Sequence, residues 1–411
     1  MPLAPQQCNQ HKYKNQRSEQ RDWKCWHEWR PSRSLYVLKW VLRDLKPVLG
    51  RRFLQVRPND EHRNFGTGVF QMKNMSLSIV LAVTATSAMA DGLAGYEPVT
   101  FPVAYQNEPV SGAIWYPSTG GGTEVSIGEN GVFYGTAVQE GGTIGEGPFP
   151  VILVSHGLGG NIRTLSWLTA GLAARGAVVV SVDHPNSTTS DFDLRAGLDH
   201  WTRVQDLQTA LDKLEADPRF AGQLDLTRVM AAGFSYGGWT ALSMGGVAGD
   251  LAGYAAHCDT VGRASSHCAD LAEGGIDLHS LDAAAWDASY KDQRITMVAV
   301  IDPALHYGLA QQHVDSLVDD VLLIGLGDGD DRLLATDFSA DGSDFAALLP
   351  GARIDVIAPA NHFAALLPCK PMGAEILEEE GDDPVCDGPE GLDRVAVHEE
   401  IIAKIATQLG L

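Results

Sequence analysis

The sequence predicts an α/β fold in which a mostly parallel central sheet carries helices on both faces. Three observations predict it. Unbroken apolar runs recur, as strands buried on both faces require. Segments of helical period separate them at the spacing of strand–helix–strand units. A G-x-S-x-G turn joins one such run to one such helix.

Val99–Tyr105 and Val110–Tyr116 read as short strands around a polar turn containing Asn107, Glu108 and Pro109. The glycine-rich stretch Gly120–Gly147 reads as a loop. Pro150–Ser155 (PVILVS) is a buried strand. Arg163–Arg175 has helical period, with Leu165, Leu168, Leu172 and Ala173 on one face and Gly176 as its stop. A strand at Ala177–Val182, a helix at Trp201–Ala216, a strand at Arg228–Phe234 and a helix at Tyr236–Val247 continue the alternation. The rhythm then fails. Residues 248–293 are rich in Ala, Gly, Asp and His and read as a helical insertion, a lid after the helix that follows the motif. Strands are expected again at Ile295–Ile301, Val321–Leu326 and Arg353–Ile357, with a helix at Asp344–Leu349 and a closing amphipathic helix at Val395–Leu409.

The charge is unevenly spread over the 411 residues. Residues 1–71 hold fourteen Lys and Arg against six Asp and Glu, whereas the remainder holds sixteen against forty-six. So acidic a body repels phosphate backbones, which excludes nucleic acid as a partner. Met72 to Met75 (MKNM), the apolar run Ser76–Ala85 and the A-x-A ending at Ala90 have the pattern of a signal peptide, residues 72–90. The run is too short for a stable membrane span. Translation is therefore expected to start at Met72, with 1–71 a basic extension outside the mature protein and 91–411 a periplasmic or secreted α/β domain. Cys8 and Cys25 fall in the extension. Cys258, Cys268, Cys369 and Cys386 fall in the body, where export favours the short-range pairs Cys258–Cys268 and Cys369–Cys386. Neither pair has zinc-finger spacing and no histidine cluster completes a metal site, so no metal or cofactor is expected.

The chemistry-bearing residues lie at strand ends. Gly233-Phe234-Ser235-Tyr236-Gly237 is entered by a strand and left by a helix, which lifts the Ser235 hydroxyl above the sheet at the positive end of a helix. His156-Gly157-Leu158-Gly159-Gly160 follows another strand directly, so the backbone N–H groups of Leu158 and Tyr236 are candidates for an oxyanion hole. A serine needs a base, and His362 lies in the short loop after the last strand, where the order nucleophile, acid, histidine puts it. His398 falls on a helix and reads as a surface residue. Two strand ends offer the acid. Asp302 ends an apolar strand, while Asp328 lies in the loop Gly327-Asp328-Gly329-Asp330-Asp331, whose aspartates read as solvated. A lone aspartate at the end of an apolar strand needs a partner, which favours Asp302.

Val154–Arg163 (VSHGLGGNIR), Val178–Pro185 (VVVSVDHP) and the GFSYGG turn resemble the platelet-activating-factor acetylhydrolases. Asn361–Cys369 (NHFAALLPC), Asp383–Asp387 (DPVCD) and Gly391–His398 resemble bacterial proteins labelled predicted dienelactone hydrolases. The resemblance runs from about Phe101 to the C-terminus. It implies an α/β-hydrolase fold, Ser235 and His362 in a Ser-His-Asp triad, Leu158 and Tyr236 as oxyanion donors, and hydrolysis of a small-molecule or lipid-like ester. In the acetylhydrolases the acid ends the strand after the nucleophile helix, matching Asp302; in the bacterial group it follows the next strand, near Asp328. Dienelactone hydrolases proper use a cysteine where this chain has Ser235. The same fold also serves lipases, polyesterases, acyltransferases and non-catalytic binding proteins, and the complete set of nucleophile, base, acid and glycine loop favours the enzyme.

Overall fold

The computed structural model describes residues 92–411; the basic extension, the signal segment and the two leader cysteines lie outside the described residues. Ten strands form one sheet: β1 (Gly95–Phe101), β2 (Val110–Tyr116), β3 (Thr123–Ile127), β4 (Thr136–Glu140), β5 (Phe149–Ser155), β6 (Val178–Val182), β7 (Leu224–Phe234), β8 (Met297–Ile301), β9 (Asp320–Leu326) and β10 (Arg353–Ile357). Their order is β10-β9-β8-β7-β5-β6-β2-β1-β4-β3. From β10 to β6 every pair is parallel, and β2 runs antiparallel to both β6 and β1.

The helices are α1 (Ser166–Ala174), α2 (Leu194–Gly197), α3 (His200–Ala216), α4 (Tyr236–Gly245), α5 (Leu251–Val261), α6 (Ser266–Glu273), α7 (Ala283–Trp286), α8 (Gln311–Val314), α9 (Gly373–Glu380) and α10 (Arg394–Leu409). The period-2 alternation of the strands divides them between two cores. Val151 and Leu153 of β5 face one core with Val204, Leu207 and Leu211 of α3 and Trp239 and Leu242 of α4. Ile152 and Val154 face the other with Leu168 and Leu172 of α1 and Ile401, Ile402 and Ile405 of α10. Each such side chain contributes about 1.5–3 kcal/mol through burial, which is what holds both helical layers to the sheet.

The order of connection positions the site. From β5 the chain crosses to β6 on one side and returns to β7 on the other, so the carboxyl ends of β5 and β7 flank a topological switch point. In open α/β sheets the crevice at such a point is where ligands bind. This order, with β2 reversed, is that of an α/β-hydrolase.

The structure corrects several details. The loop expected at Gly120–Gly147 contains the β3–β4 hairpin, whose short and largely exposed strands carry no apolar run to betray them. β1 begins at Gly95 because its register with β2 extends from Gly95–Tyr116 to Phe101–Val110; Pro102 then ends it. The helix expected at Asp344–Leu349 is a 3₁₀ turn, Phe345–Leu348. His398 is buried, stacked on Trp167 with ring centres 3.7 Å apart, its Nε2 2.9 Å from the Ala364 carbonyl. The insertion is helical: α5 and α6 are tied by Cys258–Cys268, and Cys369–Cys386 closes the loop holding α9. Among the described residues, no helix is long and apolar enough to cross a membrane, and no cluster of three His, Cys, Asp or Glu could hold a metal ion.

Candidate active site

The turn between β7 and α4 is possible only with glycines. A Cβ on Gly233 would overlap the Gly237 carbonyl, and one on Gly237 would overlap the carbonyls of Ser155 and His156. Ser235 itself has φ +56° and ψ −121°, a region a non-glycine residue occupies at a cost of about 1–3 kcal/mol. Backbone hydrogen bonds hold it there. Its N–H donates to Ile301 at 2.9 Å, and its carbonyl accepts from Gly238 at 2.9 Å and Ala304 at 3.1 Å. The neighbouring strand end at β8 therefore helps to hold the strained serine.

That same strand end carries Asp302, fully buried and also left-handed at φ +44°. The structure brings Ser235, His362 and Asp302 into one line. His362 Nε2 lies 3.1 Å from Ser235 Oγ, and its Nδ1 lies 3.0 Å from Asp302 Oδ2. Since a carboxylate only accepts, Nδ1–H donates to Asp302 and Nε2 is left to accept from the serine hydroxyl. The other carboxylate oxygen accepts from the Leu326 N–H at 2.8 Å, so β9 fixes the orientation of the acid. Asp328, the other candidate acid, is exposed at the start of the following 3₁₀ turn and does not join this line. Phe234 packs against the His362 ring, with centres 4.5 Å apart.

The loop His156–Gly160 presses against the turn. A Cβ on Gly157 would lie 3.3 Å from Ser235 Cβ, so the loop backbone passes as close to the serine as a glycine allows. Outside their own elements no described residue accepts from the Leu158 or Tyr236 N–H. His156 braces the loop: Nδ1 donates to Gly157 O at 2.7 Å and Nε2 accepts from the His184 N–H at 3.1 Å. Burial pushes its pKa down to about 3, so the ring is neutral and can fill both roles.

Beneath that loop lies a buried polar network absent from the sequence-based expectations. Arg203 of α3 donates to the His156 carbonyl, to Ser155 Oγ at 3.1 Å and to Thr240 Oγ1 at 3.0 Å, with its guanidinium 4.5 Å from the centre of the Tyr236 ring. Ser155 Oγ lies 2.9 Å from His184 Nε2, His184 Nδ1 lies 2.8 Å from Asp206 Oδ2, and Tyr105 donates to the other Asp206 oxygen at 2.5 Å. A signal was present: Arg203 and Asp206 fall on the apolar stripe of α3 with Leu207 and Ala210, where an unpartnered charge would be costly.

Two further histidines flank the site. Burial, with a contribution from His362, drives His267 of α6 down to about 4, and burial drives His306, in the loop after β8, to about 3. Both are neutral near pH 7, and His267 brings the helical insertion within electrostatic range of His362.

Residues 135–193, from β4 to the loop after β6, match the family model described as platelet-activating factor acetylhydrolase, isoform II. No curated protein matches the sequence. Among solved structures the chain is similar to a ferulic acid esterase from Streptomyces cinnamoneus, at 17% identity over 79% of this chain and 91% of that one, TM-score 0.49. It is also similar to the esterase Est22 (15% identity, 78% and 82%, TM-score 0.40) and to a hyperthermophilic esterase from the archaeon Pyrobaculum calidifontis (16%, 76% and 84%, 0.38). By its strand order the chain has the α/β-hydrolase fold, and over residues 135–193 it is similar to the platelet-activating-factor acetylhydrolases.

Proposed function

We propose that this protein is a serine ester hydrolase acting on small-molecule or lipid-like carboxylic esters through an acyl-enzyme. The observation that carries the proposal is the hydrogen-bonded line Ser235–His362–Asp302, set at a strained turn on the switch point of the sheet. Ser235 Oγ attacks the ester carbonyl while His362 Nε2 takes its proton. Asp302 holds the imidazole in the right tautomer and stabilises the imidazolium. The N–H groups of Leu158 and Tyr236 receive the negative oxygen of the tetrahedral intermediate, where one such donor is worth about 10²–10³ in turnover. His362 returns the proton to the leaving alcohol, and water repeats the cycle to release the acid.

The insertion 248–293 is assigned as a lid, because His267 of α6 stands near His362. Export is the accompanying proposal. All four cysteines of the body are paired, as suits an oxidising compartment, and the segment 72–90 has signal-peptide character. The mature chain then begins at Asp91.

Labelling by a fluorophosphonate, located by mass spectrometry and followed by an ester panel of graded acyl length, tests the reading. The label is expected on Ser235, with turnover highest on esters that fit beneath the insertion. Turnover in protein whose Ser235 carries no label under saturating probe would refute it.

A further inference from the structure

The loop after β9 holds the exposed Asp328 and also delivers a cation toward the site. Arg332 Nη1 lies 3.6 Å from Asp302 Oδ1, the carboxylate oxygen that does not face His362. Its Nε lies 3.4 Å from Asp337 Oδ1, and its guanidinium carbon stands 4.6 Å from the centre of the Phe338 ring. Only 9% of the side chain is exposed. Nε and Nη1 are buried without a hydrogen-bond acceptor, so what they have is Coulombic contact with two carboxylates. β9 leaves room for this approach. A Cβ on Gly325 would overlap Nη1, so a residue with any side chain there would displace the guanidinium from Asp302. A buried guanidinium is costly unless its charge is matched, and here the matching group is the partner of His362.

We infer that Arg332 is a positioning residue, whose fixed positive charge faces Asp302 from the side away from His362 and offsets part of the negative charge around the histidine. The inference rests on the serine-hydrolase reading above. On α6, Asp270 is pushed up to about 6 by burial and the neighbouring Asp383, and it is common to every variant compared below. His267 from the insertion and His306 from the loop after β8 are held neutral by burial. Asp328, Asp330 and Asp331 are exposed and screened by water. Asp302, Asp337 and Arg332 remain, with a net charge of about −1 when both carboxylates are ionised. Without Arg332 the surroundings of His362 become more negative, which should move the acid limb of Ser235 reactivity to higher pH.

The measurement is the rate of Ser235 labelling by a fluorophosphonate as a function of pH, which needs no knowledge of the natural ester. In Arg332→Gln the acid limb of the profile should move up by about 1 pH unit, the scale of one charge at this range. Arg332→Lys should restore most of the wild-type position. Asp337→Asn removes a negative charge, so its limb should move the other way, down and by less. A folded Arg332→Gln protein whose profile superimposes on wild type would overturn the inference. Should that variant fail to fold, Asp337→Asn decides: an unmoved or upward limb overturns the inference and a downward one supports it. A wild-type protein whose Ser235 takes no label overturns the serine mechanism itself, and this inference with it.

Discussion

Two Ser–His–Asp lines run through this molecule about one sheet, and their surroundings differ. Ser235–His362–Asp302 has serine–histidine and histidine–acid distances of 3.1 and 3.0 Å. Ser155–His184–Asp206 has 2.9 and 2.8 Å, so by contact distance alone the second is the tighter. The difference lies in what surrounds each serine. Ser235 and His362 retain 6% and 8% exposure, whereas Ser155, His184 and Asp206 retain none. Ser235 sits at φ +56° on a turn, with free N–H donors beside it; Ser155 is the last residue of a regular strand.

The cation separates them further. Arg203 donates directly to Ser155 Oγ, occupying a lone pair that a nucleophile would need. Burial and the same Arg203 charge hold His184 well below the ordinary histidine range, which disqualifies it as a base near neutrality. In the other line Arg332 reaches the acid from behind, on the side away from the serine. A Ser–His–Asp contact pattern is thus compatible with pure architecture. Here the buried line ties β5, the loop after β6 and α3 together directly beneath the His156–Gly160 loop.

The sharpest way to break this comparison is to remove the proposed nucleophile. Ser235→Ala should reduce ester turnover by roughly 10⁶-fold, the scale seen when a protease serine is removed, with an unchanged unfolding midpoint. Turnover of p-nitrophenyl acetate above background in pure mutant protein would count against the assignment. Next in size is the acid. Replacing a triad aspartate by Asn costs about 10⁴ in a serine protease, because the histidine loses the correct tautomer. Asp302→Asn should show a loss of that order, and Asp328→Asn should be nearly silent since Asp328 is exposed and outside the line. The reverse ranking on one substrate at one pH would move the acid to the β9 loop.

How much of this was legible in the sequence depends on how local the cause is. β5 begins and ends within a residue of where its apolar run puts it, since burial on both faces leaves a continuous signature, whereas the edge strand β10 is largely exposed and is bounded by Gly351 and Pro359. The G-x-S-x-G turn is legible for the same reason: three residues fix its geometry by steric exclusion among themselves and their immediate neighbours. The β3–β4 hairpin was not legible, because its strands face water and their pairing is set by contacts with Ala94 and Tyr96. His398 was misread because its partner Trp167 is far off in sequence. Arg203 and Arg332 share that difficulty. Arg203 is explained by acceptors that the fold brings from other elements, and Arg332 by its approach to Asp302, thirty residues earlier in the chain.

Acid should destabilise the fold through histidines buried outside both lines. His156, His200, His306 and His398 are buried, and burial lowers their pKa values to about 3, 4, 3 and 4. The unfolded chain takes up protons on these rings near pH 6.5 while the folded chain does not. Below that pH the unfolded state binds more protons, so stability is fully present above pH 6.5 and is lost as pH falls toward 4. Each ring contributes a slope of roughly 1.4 kcal/mol per pH unit at most, so several together can exhaust the stability of an ordinary domain within about two units. Urea midpoints measured between pH 8 and 5 should fall steadily. A flat series would mean that these rings are reached by water or protonated in the native state.

The smallest expected effect is also the one that most sharpens the comparison. Ser155→Ala removes the hydroxyl at the centre of the buried line and leaves the strand, the turn and Ser235 untouched. What it takes away is an acceptor for Arg203 Nη2 and a donor to His184 Nε2. Arg203 keeps the His156 carbonyl and Thr240, so the guanidinium is not stranded. His184 keeps Asp206, but its Nε2 becomes a buried acceptor without a donor, at a cost of about 1–3 kcal/mol. The urea midpoint should fall accordingly with an unchanged m-value. Fluorophosphonate labelling at Ser235 should stay within a few-fold of wild type, because neither the strained turn nor the N–H groups of Leu158 and Tyr236 depend on that hydroxyl. A labelling rate lowered by orders of magnitude in the folded mutant would mean that the buried line transmits its geometry to the nucleophile, and that the two lines function as one.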